Sequence, residues 1–354
     1  MGPHASPCPL DDRTTGDLMQ ASTPWRIRHL GLALALALSL APALAQQTSS
    51  PFNAPVRFIV PYPPGGPTDL TARTFADKIA RTIGQPVVIE NKPGAQGVPA
   101  VRQLLQMPAD CHAMYFGTLS TQVVSHVINE FRKQPAPYDA RKDLVPVSVL
   151  GGSPLAIVAS KKSGITTYKQ LVDALKAQPG KLNYGSDGVA SLTHLGGEML
   201  NQAAGTQSLH IPYKGTAEFS QALLAGDIQF AVSGIVAAVN LSKQDRINVL
   251  AIAGPKRSDQ LPNVPTTAEL GVPGVDLTSW FAVFMREGTP KACVDAMSQA
   301  IVKASQDPDV VQRMTAVGIE LGMSNTPEQF ARQMEGDFRK WHKVVEQAGI
   351  QFEK

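Results

Sequence analysis

Short apolar runs alternate along the chain with longer segments in which apolar residues recur every three or four positions. The short runs are typical of buried β-strands, and the longer segments are typical of amphipathic helices. Their alternation predicts an α/β fold with mainly parallel sheets covered by helices. The predicted strands are 57–61, 86–90, 113–117, 145–150, 155–159, 182–184, 208–211, 228–232, 248–253 and 280–285. The predicted helices are 67–83, 96–106, 168–177, 191–204, 218–225, 290–305, 309–317 and 327–348.

The first 45 residues have the pattern of a secretory signal peptide. Arg26 and Arg28 precede the apolar run 30–40, which is too short for an ordinary membrane helix, and a small-residue site ends at Ala45. We predict cleavage after Ala45, a periplasmic mature protein and no direct membrane insertion. The stretch before Met19 is polar and contains proline, which is unusual ahead of a signal peptide, so the start codon is either Met1 or Met19.

The rest of the chain still exceeds one comfortable core, yet no long linker divides it into consecutive domains. We therefore predict two lobes that share the chain discontinuously, each with a mixed, mainly parallel sheet flanked by helices. Lobe 1 is predicted to hold residues 46–150 and 260–354, and lobe 2 residues 151–259. The cleft between two such lobes is a natural ligand site.

Composition and charge narrow the functional classes. The chain is 43% hydrophobic and 17% charged, as expected for a folded protein, and its net charge of +3 argues against a nucleic-acid partner. The leader carries three basic and three acidic residues, so processing leaves this charge unchanged. Cys111 and Cys293 remain after cleavage; an oxidising compartment permits a bridge between them, but their spacing does not decide whether it forms.

A glycine pair separates the first predicted strand from the first predicted helix. We call residues 61–69 the first glycine loop. Pro67 suits the first helical position, which makes Gly66 the N-cap and leaves the amides of Gly66, Thr68 and Asp69 free to bind an anion. The chain lacks the glycine motifs of nucleotide-binding loops, so we expect no cofactor. A tight turn with no ligand is the alternative interpretation.

A second loop has the same setting between a predicted strand and a predicted helix. We call residues 186–191 the second glycine loop. Ser191 suits the N-cap of the helix that follows, and Gly205 suits its end. Two helix starts, one from each lobe, would suit a ligand that bears a carboxylate.

Both loops belong to a longer series of motifs whose order and spacing are specific. The series comprises VPYPPGGPTD (60–69) with 72–73, GQPVVIEN (84–91) with 93–95, LNYGS (182–186), 194–195, HIPYKG (210–215), PNVPT (262–266) with 269–271, and Trp341. On these motifs the chain resembles the Bug-type periplasmic solute receptors of tripartite tricarboxylate transporters. The resemblance implies a two-lobed periplasmic-binding-protein (flytrap) fold, which closes on a small carboxylate and delivers it to membrane transporter subunits. We expect a monomer.

In that family the two glycine loops act as pincers on the ligand, largely through backbone amides and ordered water. Carried over by position, the ligand-binding residues are Tyr62, Gly65, Gly66, Thr68 and Asp69 in the first loop, Ser186, Gly188 and Ser191 in the second with His194 just after it, and Thr118, Ser120 and Tyr213 as lining.

Three positions depart from the family pattern. The segment 110–114 reads DCHAM where DGYTL is usual, and Ala190 replaces a glycine. Asp187 stands where a small residue or proline is common, and we add it to the expected ligand-binding residues. Its carboxylate favours a ligand with an amine or amide, so the expected ligand is a small organic acid or an amino-acid-like or amide compound.

Enzymatic and metal-binding interpretations fit less well. Ser186 lies in Tyr184-Gly-Ser-Asp-Gly188, which lacks the first glycine of a nucleophile elbow. Cys111 and His112 are interpreted as strand neighbours that point to opposite faces, so they do not form a nucleophile pair. The histidines show no metal-ligand spacing. We expect no enzyme and no metal site; a receptor that reports to a membrane signalling protein is the main alternative, and a secreted serine hydrolase using Ser186 is the lesser one.

Overall fold

The computed structural model describes residues 50–272, 274–322 and 326–350. The predicted signal peptide and the alternative start at Met19 lie outside these residues. Among the helices of the described ranges, none has both the length and the apolar composition needed to cross a membrane.

The described residues contain ten strands and ten α-helices, which alternate along most of the chain. The strands are β1 (Val56–Val60), β2 (Val87–Asn91), β3 (Ala113–Thr118), β4 (Leu144–Ser153), β5 (Leu155–Ser160), β6 (Asn183–Ser186), β7 (Leu209–Pro212), β8 (Phe230–Gly234), β9 (Ile247–Ala253) and β10 (Ser279–Arg286). The helices are α1 (Pro67–Ile83), α2 (Val98–Gln106), α3 (Ser125–Phe131), α4 (Tyr168–Ala177), α5 (Leu192–Ala204), α6 (Thr216–Ala225), α7 (Ile235–Ser242), α8 (Lys291–Ser305), α9 (Pro308–Ala316) and α10 (Pro327–Ala348).

Every strand and helix predicted from the pattern is present, with ends shifted by a few residues. The pattern did not predict α7, the 3-10 turn Lys161–Ser163, or α3 with the π-helical turn Ser120–Val124 that leads into it. Helix α7 reads IVAAVNLS, which is apolar on nearly every side and directly follows a strand. Because a helix of this kind has no 3.6-residue period, the pattern contains no signal for it.

The strands form two five-stranded sheets with matching topology. The first has the order β2-β1-β3-β10-β4, and the second has the order β7-β6-β8-β5-β9. In the first sheet β10 runs antiparallel to both of its neighbours, while β1 is parallel to β2 and β3. In the second sheet β5 is the antiparallel strand, and β6 is parallel to β7 and β8. The predicted α/β class with mixed sheets is confirmed.

The chain crosses from the first sheet to the second at Pro154 and returns after β9. A large buried cluster includes Ile59 of β1, Ile157 of β5 and Trp341 of α10, so side chains of both sheets contribute to one core. Burying a large apolar side chain contributes about 1.5–3 kcal/mol, so this shared core holds the sheets together. Sheet membership alone does not fix lobe limits, and the boundaries at 150/151 and 259/260 stay predictions.

A disulfide joins Cys111 to Cys293 across 182 residues of chain. Cys293 lies on α8, and both side chains are buried in the cluster on one side of the first sheet. The interpretation of Cys111 and His112 as strand neighbours is wrong, because both residues lie in the turn before β3. The bridge therefore ties that turn to α8.

Candidate functional site

Both glycine loops begin at the carboxyl end of a strand that lies between two parallel neighbours in its sheet. In the first sheet β1 lies between β2 and β3, and in the second β6 lies between β7 and β8. From such a strand the chain first continues to the neighbour on one side, and it later forms the neighbour on the other side. The direction of the connections therefore reverses at this strand. The crevice at this switch point is where open α/β sheets usually bind ligands.

The first glycine loop is closed by the carboxylate of Asp69, which is 2% exposed. Its Oδ2 accepts hydrogen bonds from the Gly65 amide and from Arg73 Nε, each at 2.9 Å. Its Oδ1 accepts one from Asn91 Nδ2 at 2.9 Å, and the same amide group also donates to the Tyr62 carbonyl at 3.0 Å. Burial alone would raise the pKa of Asp69, but the hydrogen bonds from Arg73, Gly65 and Asn91 outweigh it and lower the pKa. The carboxylate is charged and fixes the loop from within.

The start of α1 presents backbone rather than side chains. Gly66 is the N-cap with Pro67 at the start of the helix, and within the described part of the chain no side chain caps this end. A Cβ atom on Gly65 would meet no described atom within 4 Å, and one on Gly66 would come no closer than 4.0 Å to the Pro63 carbonyl oxygen. Thr68 and Asp69 lie in the first turn of α1. The space at this helix start is open enough for a ligand to approach the backbone.

Tyr62 and Thr118 connect the loop after β1 to the end of β3. Their hydroxyl oxygens are 3.1 Å apart, and burial raises the pKa of Tyr62, so its hydroxyl stays protonated. Thr118 is buried and exchanges hydrogen bonds with Thr121 through the backbone and side chain of each. Ser120, partly exposed, opens the π-helical turn that follows. These contacts bring Tyr62 and Thr118 together at the switch point.

The second glycine loop is held by a denser network. The fully buried Ser186 donates from Oγ to the Gly188 carbonyl at 2.9 Å and accepts from the Gly188 amide at 3.2 Å. The carboxylate of Asp187 accepts a hydrogen bond from the Thr193 hydroxyl, and its amide donates to the same hydroxyl at 3.1 Å. Ser191 caps α5 by accepting from the His194 amide at 3.2 Å. The predicted N-cap is confirmed.

Tyr213 follows β7 and lies beside this loop. Its amide donates to the Ser186 carbonyl at 3.0 Å, and its carbonyl oxygen would be 3.8 Å from a Cβ atom on Gly188. The structure therefore groups Ser186, Gly188 and Tyr213, just as it groups Tyr62 with Thr118 in the other sheet. That the two groups face one cleft stays a prediction.

Sequence reasoning missed two residues that shape these loops. Asn91 joins Asp69 to the Tyr62 carbonyl, and His210 Nε2 lies 2.7 Å from Ser186 Oγ. Both stand inside the recognised motifs 84–91 and 210–215, but their partners are 22–29 residues away in sequence. Only the pairing of β1 with β2 and of β6 with β7 brings them together.

No group of three or more histidine, cysteine or acidic side chains within the described ranges is arranged to hold a metal ion. What the geometry offers is backbone amides, hydroxyls and neutral rings beside two helix starts. Backbone amides at a helix start are the groups that suit a small polar anion, and the second loop adds the Asp187 carboxylate beside them.

Two mixed sheets joined by crossing strands, each with a glycine loop at its switch point, define a two-lobed solute-binding protein of the periplasmic-binding-protein class. The chain belongs to the family described as "Tripartite tricarboxylate transporter family receptor", whose model matches residues 71–350. This confirms the resemblance inferred from the motifs.

The relatives named here cover 83–90% of the chain. BugT of Bordetella pertussis is 30% identical over 320 residues, which is 90% of this chain and 96% of BugT. The structure of R. palustris Rpa4515 with adipate is 28% identical, with a TM-score of 0.70 over 84% of this chain and 98% of that one. MatC from Rhodopseudomonas palustris with bound malate is also 28% identical, with a TM-score of 0.66 over 83% and 99%.

Proposed function

We propose that this protein is an exported, periplasmic solute receptor that binds a small carboxylate-bearing or related polar metabolite and delivers it to a tripartite tricarboxylate-type membrane transporter. The observation that carries the proposal is the pair of loops, each at the switch point of its sheet and each leading into a helix. The family of the chain supports the transporter as the recipient. The receptor acts as a monomer.

The first glycine loop supplies the anion contacts. The amides of Gly66 and Thr68 stand at a helix start, where the partial positive charge favours a carboxylate. Asp69 serves the loop from inside, because its oxygens are taken by Gly65, Arg73 and Asn91. The adipate and malate that two relatives bind are both small dicarboxylates, which supports this ligand class.

The second glycine loop narrows the ligand class. Asp187 brings a negative charge into a loop that is proposed to receive an anion, and Thr193 engages one of its oxygens. A ligand with an amine, amide or ring nitrogen beside its carboxylate would relieve the repulsion. We therefore propose an amino-acid-like or amide-bearing acid ahead of a plain dicarboxylate.

Binding without chemical conversion is the function proposed. Ser186 is fully buried, and its hydroxyl is already hydrogen-bonded to Gly188 and His210. A nucleophile needs a reachable oxygen and a base oriented by a third group. The buried setting of Ser186 supports a structural role in the loop.

A thermal-shift screen of the mature protein tests this function. Its members are malate, adipate, amino acids and amides, each matched to an analogue without a carboxylate. A ligand at about one hundred times its Kd stabilises by about 2.7 kcal/mol, which raises Tm by a few degrees. Chromatography of the incubated ligand should return it unchanged. A protein that no acid stabilises, or one that hydrolyses activated esters and loses this activity in Ser186→Ala, would contradict the proposal.

A further inference from the structure

Two histidines, the buried His194 and the partly buried His210, lie beside the second glycine loop. His194 stands in the first turn of α5 and His210 on β7, and their rings stack with centroids 3.7 Å apart and planes inclined by 7°. Each ring binds a different end of the loop. The Ala190 amide donates to His194 Nδ1 at 2.9 Å, and His210 Nε2 lies 2.7 Å from Ser186 Oγ.

The end of the loop that His194 holds is strained. Ala190 has a φ of 65°, in the left-handed region, where an L-residue other than glycine costs about 1–2 kcal/mol. The hydrogen bond from its own amide to His194 offsets part of this cost. Without that acceptor, the amide of a buried residue would lose its partner and the backbone would be drawn to a relaxed conformation.

The hydrogen bond from the Ala190 amide assigns the proton on the His194 ring. Because His194 Nδ1 accepts from Ala190, the proton of the neutral ring is on Nε2, which points toward Glu198 Oε1 at 4.0 Å. The Ser186 hydroxyl has one proton, and where it donates that proton to the Gly188 carbonyl, His210 Nε2 is the donor to Ser186. Burial lowers the pKa of His194 to about 3, aided by the neighbouring His210, and burial lowers that of His210 to about 4.

We propose that His194 and His210 are positioning residues, which hold the two ends of the second glycine loop in the ligand-binding conformation through one specified nitrogen each. This inference rests on the proposed function. A loop fixed in its bound shape loses less conformational freedom on binding, so affinity depends on both contacts. The stacked rings join β7 to α5 and so link the contacts at the two ends of the loop.

The chemistry of asparagine and glutamine gives a matched test. An asparagine amide reaches about the position of a histidine Nδ1, and a glutamine amide reaches about that of Nε2. His194→Asn and His210→Gln should therefore keep the Kd of aspartate, malate or adipate, whichever stabilises the wild type most, within about threefold. His194→Gln and His210→Asn should weaken it by about tenfold or more, or 1.4 kcal/mol. The exposed His342→Gln is the control and should change nothing.

A merely space-filling pair would not distinguish these substitutions. Equal Kd values for asparagine and glutamine at both positions, with Tm values matched, would overturn the inference. A wild type that binds none of the acids would refute the proposed function instead, and the histidines are then tested in the free protein. Nitrogen-15 spectra should show His194 protonated on Nε2 alone, and the Ala190 amide should exchange slowly with solvent. Protonation on Nδ1, or exchange as fast as in an exposed loop, would overturn the inference without any ligand.

Discussion

The Asp69 carboxylate accepts a hydrogen bond from the amide of Gly65 at 2.9 Å, so the first glycine loop is closed by a residue of the helix that follows it. The same carboxylate holds Arg73 and Asn91, and both α1 and β2 therefore depend on it. The buried carboxylate of Asp69 thus fixes the loop conformation without covering the backbone amides at the start of α1, where the ligand is proposed to bind.

Replacing Asp69 by asparagine should weaken both the fold and the site. The amide nitrogen of asparagine cannot accept from Gly65 or Arg73, and losing these partly buried hydrogen bonds to a charged group costs about 1.5–3 kcal/mol. We expect a lower midpoint of urea unfolding. We also expect at least a tenfold higher Kd for aspartate, because the loop loses its closure. Asp77→Asn, at an exposed position of the same helix, is the control. An Asp69→Asn protein with unchanged midpoint and Kd would show that the closure is dispensable.

Gly66→Val should abolish binding while the fold survives. Gly66 has a φ of −81°, which any residue adopts, and its missing Cβ faces open space, so valine fits the free protein. The added methyl groups would occupy the space in which a carboxylate meets the helix start. Calorimetric titration beside a melting curve separates the two effects. If Gly66→Val binds the ligand as tightly as the wild type, this loop is an ordinary turn. Gly84→Ala, at the other end of α1, is the control, and we expect it to lower Tm and leave the Kd unchanged.

The parts of this site that could be predicted from the sequence are those with local signals. Pro67 and Ser191 mark helix starts through their own backbone preferences, and both predictions are confirmed. The contacts of Asn91 and His210 could not be predicted, because they depend on which strands pair. The approach to β3 was misinterpreted for a related reason: Cys111 has the apolar character of a strand residue, but its disulfide holds it in the preceding turn.

The Cys111–Cys293 bridge should stabilise the mature protein strongly. It closes a segment of 182 residues, and a crosslink over a loop of that length restricts the unfolded chain by up to about 5 kcal/mol. We expect a reducing agent to lower Tm by several degrees. The variant with both cysteines replaced by serine should have the same lower Tm with or without the reductant. Equal Tm values for the oxidised and reduced wild type would contradict this prediction.

Protonation of His194 and His210 should make the free energy of unfolding depend on pH. Both histidines have a folded-state pKa below the ordinary value of 6.5, about 3 for His194 and about 4 for His210, through burial. The unfolded chain therefore binds more protons, so their contribution is complete above pH 6.5 and is lost as pH falls toward 4. Each histidine lowers the free energy of unfolding by up to about 1.4 kcal/mol for each pH unit of acidification. Denaturation between pH 7 and 4 should show a flatter profile for the His194→Asn, His210→Gln double variant, and an unchanged one for His342→Gln. A double variant that follows the wild-type curve would refute the assignment.

We expect Asp187 to decide which acids the proposed site accepts. Its half-buried carboxylate lies in a loop that is proposed to meet an anion, and two like charges at about 4 Å repel by up to about 4 kcal/mol at an effective dielectric near 20. That repulsion would defeat a plain dicarboxylate, whereas a ligand nitrogen placed there would donate to the carboxylate.

Asp187→Asn should therefore reverse the preference between two matched ligands, aspartate and succinate, which differ only in the amine. The amide keeps an oxygen to accept from Thr193, so the loop stays closed, but the negative charge is gone. We expect the substitution to weaken aspartate and to strengthen succinate, each by about tenfold, because the attraction to the ammonium and the repulsion of the carboxylate vanish together. Calorimetric titration of both acids against both proteins measures this, and Asp173→Asn, at an exposed position of α4, controls for net charge. If neither affinity changes, Asp187 faces away from the ligand, and the selection for a nitrogen-bearing acid must come from other residues.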